Sequence, residues 1–402
     1  MKNDQIIGDL IKKEEKRQAE YVELIASENF CSADVREAVG SVLTNKYAEG
    51  YPFARYYAGC NVIDEIEHLA IERLKTIFHA DFANVQPHSG SQANMAAYLA
   101  IIKPGDKILG MSLTSGGHLT HGFKVSATGQ IFESAAYEVS PITNELDYEM
   151  IRKQALEFKP KLIICGASAY SRIINWKAFK DIADEVGAYV VADVAHIAGL
   201  IVTDLHPNPL DVGIDIVTST THKTLRGPRG GIILTNNPEI AKKIDKAVFP
   251  GTQGGPLEHV IAGKAIAFKE AASKKYKHYM QDVVANAKIM AKTFIDNGAT
   301  IITGGTDNHL FMIDVMKTYN ITGQQAENLL FEAHIVVNKN TIPYETLSPT
   351  ITSGIRIGTP AMTTHGWKAS DFVKLAEIMH EILSKNDLKF ARENISKVKG
   401  MM

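Results

Sequence analysis

Cysteine is scarce: Cys31, Cys60 and Cys165 are the only ones in 402 residues, and no two form a Cys-x-x-Cys pair. That excludes a disulfide framework and a structural zinc site, and a reducing, cytoplasmic setting is expected. A surplus of one charge is also missing. The 43 basic and 45 acidic residues leave a formal net charge of -2, with no basic stretch suited to nucleic acid or an anionic membrane. Long apolar runs are absent as well, since the most apolar segment, Tyr189 to Val202, is interrupted by Asp193 and His196 and is too short and polar to span a bilayer. Met1 to Arg17 mixes Lys12, Lys13 and Lys16 with Asp4, Asp9, Glu14 and Glu15. It has neither the apolar core of a secretory signal nor the acid-poor composition of a transit peptide. A soluble protein acting on small molecules is the expectation.

The chain is longer than one hydrophobic core usually serves, and it has no internal repeat or low-complexity linker, so boundaries must come from changes of pattern. Residues 1–45 read as an N-terminal helical arm with two helices around Ser27-Glu28-Asn29-Phe30. Residues 46–274 alternate apolar β-type runs with helical periods, as in Lys161 to Cys165, Trp176 to Val186 and Ala188 to Ala192. That alternation predicts a large α/β domain with a mostly parallel sheet, extended by Asp215 to Thr218 and by Gly231 to Thr235, the last possibly antiparallel. Ligands of such sheets sit at the carboxyl ends of the strands. A helix from Pro256, with one break, runs towards Asn297. Residues 275–402 then read as a smaller α+β domain. Its strand candidates are Ala299 to Ile302, His309 to Val315, His334 to Asn338 and Gly354 to Ile357, and its helices lie near Gln324 to Glu332 and Ser370 to Ser384.

Asp193 ends an apolar strand, where an ionised carboxylate needs a positive or protonated partner. Thirty positions on (223 minus 193), Lys223 follows another apolar strand in Ser219-Thr-Thr-His-Lys223-Thr. A carboxylate and a lysine facing one strand-end crevice suit pyridoxal phosphate, whose aldehyde takes the amine and whose ring nitrogen stays protonated beside the acid. On these two residues alone, the better reading is that they are unrelated and partly solvated. Ser89-Gly90-Ser91-Gln92-Ala93-Asn94 follows the β-like run from Phe82 to Val85 and opens a helix, so its amides and hydroxyls could hold a phosphate. An ordinary serine N-cap explains that motif equally well in isolation. The joint occurrence of the three favours the cofactor.

The strings Glu23-Leu-Ile-Ala-Ser-Glu-Asn29, Leu43-Thr-Asn-Lys-Tyr-Ala-Glu-Gly-Tyr-Pro52, Gln86-Pro-His-Ser-Gly-Ser-Gln-Ala-Asn94, Gly116-Gly-His-Leu-Thr-His-Gly122, Ala192-Asp-Val-Ala-His-Ile-Ala-Gly199, Thr220-Thr-His-Lys-Thr224 and Ser353-Gly-Ile-Arg-Ile-Gly-Thr-Pro360 resemble the serine hydroxymethyltransferase family nearly end to end. The family belongs to the aspartate-aminotransferase-like, fold type I class of pyridoxal-phosphate enzymes. The resemblance implies that Lys223 carries the cofactor, Asp193 pairs with its ring nitrogen, His118 stacks on the ring, and Ser168 and His196 bond its oxygens. It also implies that Ser91 and His222, with the amides of Ser89, Gly90 and Ser91, hold the phosphate, and that Gly254 and Gly255 arrive from a neighbouring subunit of an obligate homodimer. Arg356 would grip the substrate carboxylate through its two-pronged guanidinium. Tyr47 and Tyr57 resemble tyrosines donated across the dimer interface, Ser32 resembles the residue that meets the substrate side chain, and Glu49 resembles the proton-transfer group. Tetrahydrofolate would lie against Leu113, Gly117, His118 and Leu119, with Asn340, Ser348, Pro349 and Thr350 nearby.

The implied reaction is the reversible conversion of serine and tetrahydrofolate to glycine and 5,10-methylenetetrahydrofolate. A folate-independent pyridoxal-phosphate aldolase of β-hydroxy amino acids is the alternative, and a cofactor-binding protein retained for interactions is a third reading. Ser115 stands where many relatives have histidine, Thr350 replaces a frequent aromatic, Phe53-Ala54 replaces a glycine and basic pair before Arg55, and Ala58 replaces a glycine after Tyr57. His118 and His121 could be read as a metal pair, but no carboxylate or cysteine cluster in the sequence accompanies them, and no metal is expected. Arg226 and Arg229 could neutralise anions or shape their turn, and the structural reading is favoured.

Overall fold

Apolar, β-branched runs separated by amphipathic helices build a seven-stranded sheet in the computed structural model, which describes residues 4–402. The first three residues of the expected arm lie outside the described residues. The strands are β1 (Phe82–Asn84), β2 (Lys107–Met111), β3 (Glu133–Tyr137), β4 (Leu162–Gly166), β5 (Tyr189–Asp193), β6 (Ile216–Thr220) and β7 (Gly231–Thr235). Their spatial order is β1-β7-β6-β5-β4-β2-β3. The pairings from β6 to β3 are parallel, and β7 runs antiparallel to both β1 and β6. The expected mostly parallel α/β sheet is therefore present, with the antiparallel strand at Gly231–Thr235. β4, β6 and β7 are buried along their whole length, which is why they read as continuous apolar runs.

The chain divides into two compact units. One is continuous, Asn29–Gln281; the other joins the residues up to Glu28 to Asp282–Met402. This differs from an arm over 1–45, a large domain over 46–274 and a small one over 275–402. The reason lies in backbone pairing and apolar burial. The short strand Val22–Glu23 pairs in parallel with Ile335–Val336, and Val22 and Leu24 are fully buried in one core with Phe311, Ile313, Ile355 and Phe372. The Ala33–Val39 helix instead packs on the helix Glu258–Ala271.

In the C-terminal unit, Leu310–Asp314, Gly354–Gly358 and Asn338–Asn340 form an antiparallel sheet with Gly354–Gly358 in the centre. The expected strand Ala299 to Ile302 reduces to one bridge, Ile301 to Ile313, because Thr303 turns left-handed at φ 64°. The expected long helix is Glu258–Ala271 followed, after its break, by Lys274–Asp296. No helix among the described residues is long and apolar enough to cross a membrane.

Candidate active site

The carboxyl ends of β5 and β6 face the start of the helix Gly90–Ile101, and the chemistry-bearing side chains of the Asn29–Gln281 unit gather there. Asp193, the last residue of β5, accepts hydrogen bonds on Oδ2 from Asn94 Nδ2 (2.9 Å) and His121 Nε2 (3.1 Å), and on Oδ1 from the Ala195 amide (3.0 Å). Burial alone would push its pKa up. The His121 hydrogen bond and the nearby charges, Lys223 among them, instead hold it well below the usual carboxylate range. Lys223 is thus one of the charges that act on Asp193, and it acts on His118 as well. The backbone behind the lysine is fixed, since Lys223 O accepts from Asn29 Nδ2 at 3.1 Å and from the Arg226 amide at 3.0 Å.

Hydrogen bonds assign the tautomers of both histidines. His118 Nδ1 accepts the Thr120 amide (3.2 Å) and lies 2.7 Å from the Thr120 hydroxyl, while His121 Nδ1 accepts the His118 amide (3.2 Å). An amide can only donate, so each Nδ1 bears a lone pair and the neutral ring carries its proton on Nε2. His121 then donates to Asp193. Burial pushes His118 down to about 4, so it is a neutral ring at physiological pH. The carboxylate that the sequence did not show beside this histidine pair is Asp193, and the potential ligating atoms of the three lie within 4.8 Å of one another. In this arrangement His121 Nε2 donates to Asp193 and anchors the carboxylate.

Asn94, His121 and Thr220 are site residues that sequence reasoning gave no individual part in the chemistry. Asn94 is buried, donates to Thr120 Oγ1 (2.8 Å) as well as to Asp193, and accepts from Thr218 Oγ1 (2.6 Å). A polar residue on the inward face of an otherwise apolar helix was the signal available in the sequence.

At the helix start, Ser89 is an N-cap, accepting from the Gln92 amide (3.2 Å). Gly90 is pressed against β6: a β-carbon there would fall 2.6 Å from Thr220 Cγ2. Thr220 Oγ1 and His222 Nδ1 are buried polar atoms without a hydrogen-bond partner. Burial and the charges of Lys223, Arg229 and Lys264 push His222 down to about 3. Orphaned polar atoms beside a glycine-lined helix N-terminus fit a phosphate, which would supply both the missing acceptor and the countercharge. Ser91 lies exposed on the first turn. The Ser168 amide donates to Gly116 O (2.7 Å), bringing Ser168 to the loop that holds Gly117 and His118, and His196 O accepts from Thr224 Oγ1 (2.9 Å), next to Lys223.

A second group comes together in the same unit. Tyr47 and Tyr57 meet edge to face at 5.3 Å. A β-carbon on Gly254 would lie 3.3 Å from Glu49 Oε1, and one on Gly255 would lie 3.3 Å from the Tyr47 ring. The four residues expected to serve a neighbouring subunit are therefore one packet with Glu49, and Tyr47 is 56% exposed. Ser32 caps the Ala33–Val39 helix through the Val35 amide (3.2 Å). Leu119 is exposed, whereas Ser115 is buried and bonds Glu138 and the Val139 amide, so its side chain turns inward. Gly116 N donates to Leu113 O at 3.2 Å, folding Leu113 back on the Gly117 loop. Arg226 stacks over Tyr279 at 4.6 Å.

The remaining expected residues belong to the C-terminal unit. Arg356 occupies the middle of Gly354–Gly358, donates from Nε to Asn338 Oδ1 (3.2 Å), and is pushed down to about 10 by burial. Asn340 donates to Thr341 O (2.7 Å). Ser348 and Thr350 bond each other (2.9 Å) around Pro349 in an exposed loop.

The serine hydroxymethyltransferase family model matches residues 1–379. A serine hydroxymethyltransferase of Lactobacillus gasseri is 58% identical over 398 residues, 98% of this chain and 96% of that protein. Those of Phytoplasma australiense (56% over 395 residues, 98% and 96%) and Alkalilimnicola ehrlichii (54% over 400 residues, 98% and 95%) are similarly close. Agreement of this extent across nearly the whole length of both partners, on a sheet and crevice built as described, shows that the chain belongs to the serine hydroxymethyltransferase family, fold type I enzymes that act as transferases.

Proposed function

We propose that this enzyme converts L-serine and tetrahydrofolate reversibly to glycine and 5,10-methylenetetrahydrofolate, using pyridoxal 5'-phosphate held on Lys223. The observation that carries the reading is Asp193, a carboxylate kept ionised by three donors within the field of Lys223. Bound pyridoxal phosphate supplies an electron sink for the carbanion left when the Cα–Cβ bond of serine breaks. The chain's own residues do the rest. Asp193 keeps the ring nitrogen protonated, with His121 and Asn94 fixing its orientation. Neutral His118 offers a flat, uncharged face for stacking. His222, Thr220 and the amides at Ser89–Ser91 hold the phosphate, with Ser168 and His196 on the ring's oxygens. Arg356 binds the substrate carboxylate, Ser32 meets its side chain, and Glu49 moves the proton. Leu113, Gly117, Leu119, Asn340 and the Ser348–Thr350 loop receive the folate.

We further propose a homodimer with shared sites. Val42, Phe53, Tyr56 and Tyr57 are 80%, 74%, 77% and 47% exposed beside Tyr47 and Glu49, an apolar surface that a second copy would cover. Serine-to-glycine conversion by the purified protein, with and without tetrahydrofolate, tests the reaction. Turnover that requires tetrahydrofolate, and that Lys223→Ala abolishes together with borohydride-fixed cofactor, is expected. Turnover indifferent to tetrahydrofolate would instead identify an aldolase of β-hydroxy amino acids.

A further inference from the structure

Lys264 enters the site described so far only as a charge acting on His222, yet it is among the most deeply buried charges of the Asn29–Gln281 unit. It sits on the helix Glu258–Ala271, is 1% exposed, and its Nζ donates to the carbonyls of Val85 (2.6 Å), Pro87 (3.1 Å) and Gly231 (2.8 Å). An ammonium has three protons, and here each has a carbonyl acceptor. A neutral amine would keep only two of these bonds and turn a lone pair on the third oxygen. Burial pushes the group down to about 7, against the pull of Glu67 and Glu258. A buried cation is a costly way to fill a core position that methionine would fill as well, so the three bonds need a reason.

The reason lies in where the sheet ends. The ladder between β1 and β7 closes at the pair Asn84 and Ile233. The chain then turns through Gln86-Pro87, and Pro87 has no N–H with which to continue it. Gly231 N still reaches Pro87 O (3.0 Å), and Lys264 supplies the donors that the interrupted ladder lacks. Two residues beyond Pro87 the phosphate cradle begins at Ser89. On the other side, Gly230 O accepts the Thr221 amide (3.1 Å), one residue before His222. A β-carbon on Gly230 would fall 2.5 Å from Lys264 Cε, so the glycine makes room for the lysine stem. One ammonium therefore joins the loop that aims the Ser89–Ser91 amides to Gly231 on β7, the residue that pairs with Thr220 two positions before His222.

We infer that Lys264 is a positioning residue for the cofactor phosphate, tying the Val85–Pro87 loop to Gly231 and so setting the spacing between the Ser89–Ser91 amides and His222. The inference rests on the pyridoxal-phosphate reading proposed above. The test compares pyridoxal phosphate with pyridoxal, which has the same ring and aldehyde but no phosphate, titrated into the full chain and followed by cofactor absorbance. Lys264→Met weakens pyridoxal phosphate about tenfold or more, while pyridoxal stays within about threefold of wild type. Gly230→Ala, which keeps the ammonium but displaces it, shows the same selective loss to a smaller extent and serves if Lys264→Met does not fold. Unchanged affinity, or a parallel loss for both ligands, overturns the inference and leaves Lys264 a structural residue. If the wild-type chain binds pyridoxal phosphate no better than pyridoxal, the phosphate cradle itself is wrong and this inference falls with it.

Discussion

Replacing Asn94 by alanine removes three hydrogen bonds from one dry position. The donation to the Asp193 carboxylate is worth about 1.5–3 kcal/mol, and the neutral bonds with Thr120 and Thr218 about 1 kcal/mol each, giving a loss of about 4 kcal/mol. Against a native stability of about 5–15 kcal/mol that is a large fraction. Thr218→Val removes only one of the neutral bonds and should cost about 1 kcal/mol. Urea unfolding followed by Trp176 fluorescence in a Trp367→Phe background measures both. The chain has two tryptophans, and Trp176 is the one within the Asn29–Gln281 unit. A loss under about 1 kcal/mol for Asn94→Ala, or one no larger than that of Thr218→Val, would refute the claim that this amide anchors the carboxylate.

Gly90→Ala would place a β-carbon 2.6 Å from Thr220 Cγ2 and displace the wall of the phosphate cradle. Pyridoxal-phosphate affinity should fall about tenfold in direct titration, and an unaltered titration curve would contradict the cradle. Glu258 is buried on the first turn of its helix, and burial together with the Glu67 charge pushes its carboxyl from 4.5 up to about 8. A carboxyl raised in the folded state contributes stability that is complete below its unfolded value and is lost as pH rises through the folded one. The contribution of Glu258 should therefore fall between about pH 4.5 and pH 8, so the melting temperature of Glu258→Gln should rise relative to wild type across that range; parallel profiles for the two proteins would show that Glu258 does not titrate there.

The strands Leu162–Gly166, Tyr189–Asp193, Ile216–Thr220 and Gly231–Thr235 were legible because burial on both faces demands unbroken β-branched and aliphatic residues. Glu133–Tyr137 was not, since this edge strand is partly exposed and its first four residues are Glu, Ser and Ala, with Tyr137 alone carrying a β signature. Lys223, Asp193 and the helix start at Gly90 were visible as strand-end and N-cap chemistry. His121 and Asn94 were not, because their bonds to Asp193 span 72 and 99 residues and depend on which strands become neighbours. The position of Val22 was hidden for the same reason. Its segment looks like the tail of a helical arm until Ile335 is placed beside it.

That pairing also sets an order of events during synthesis. Val22 must wait for Ile335, 313 residues later (335 minus 22), before its strand can pair. At about 5–20 residues per second, this is a delay on the order of 15–60 seconds at the ribosome. The continuous stretch from Asn29 to Gln281 leaves the ribosome well before then and can complete its sheet from its own strands. The Val22–Glu23 strand is thus among the last to find its place, and the Asn29–Gln281 unit that carries Lys223 and Asp193 can be built before that segment is tied down.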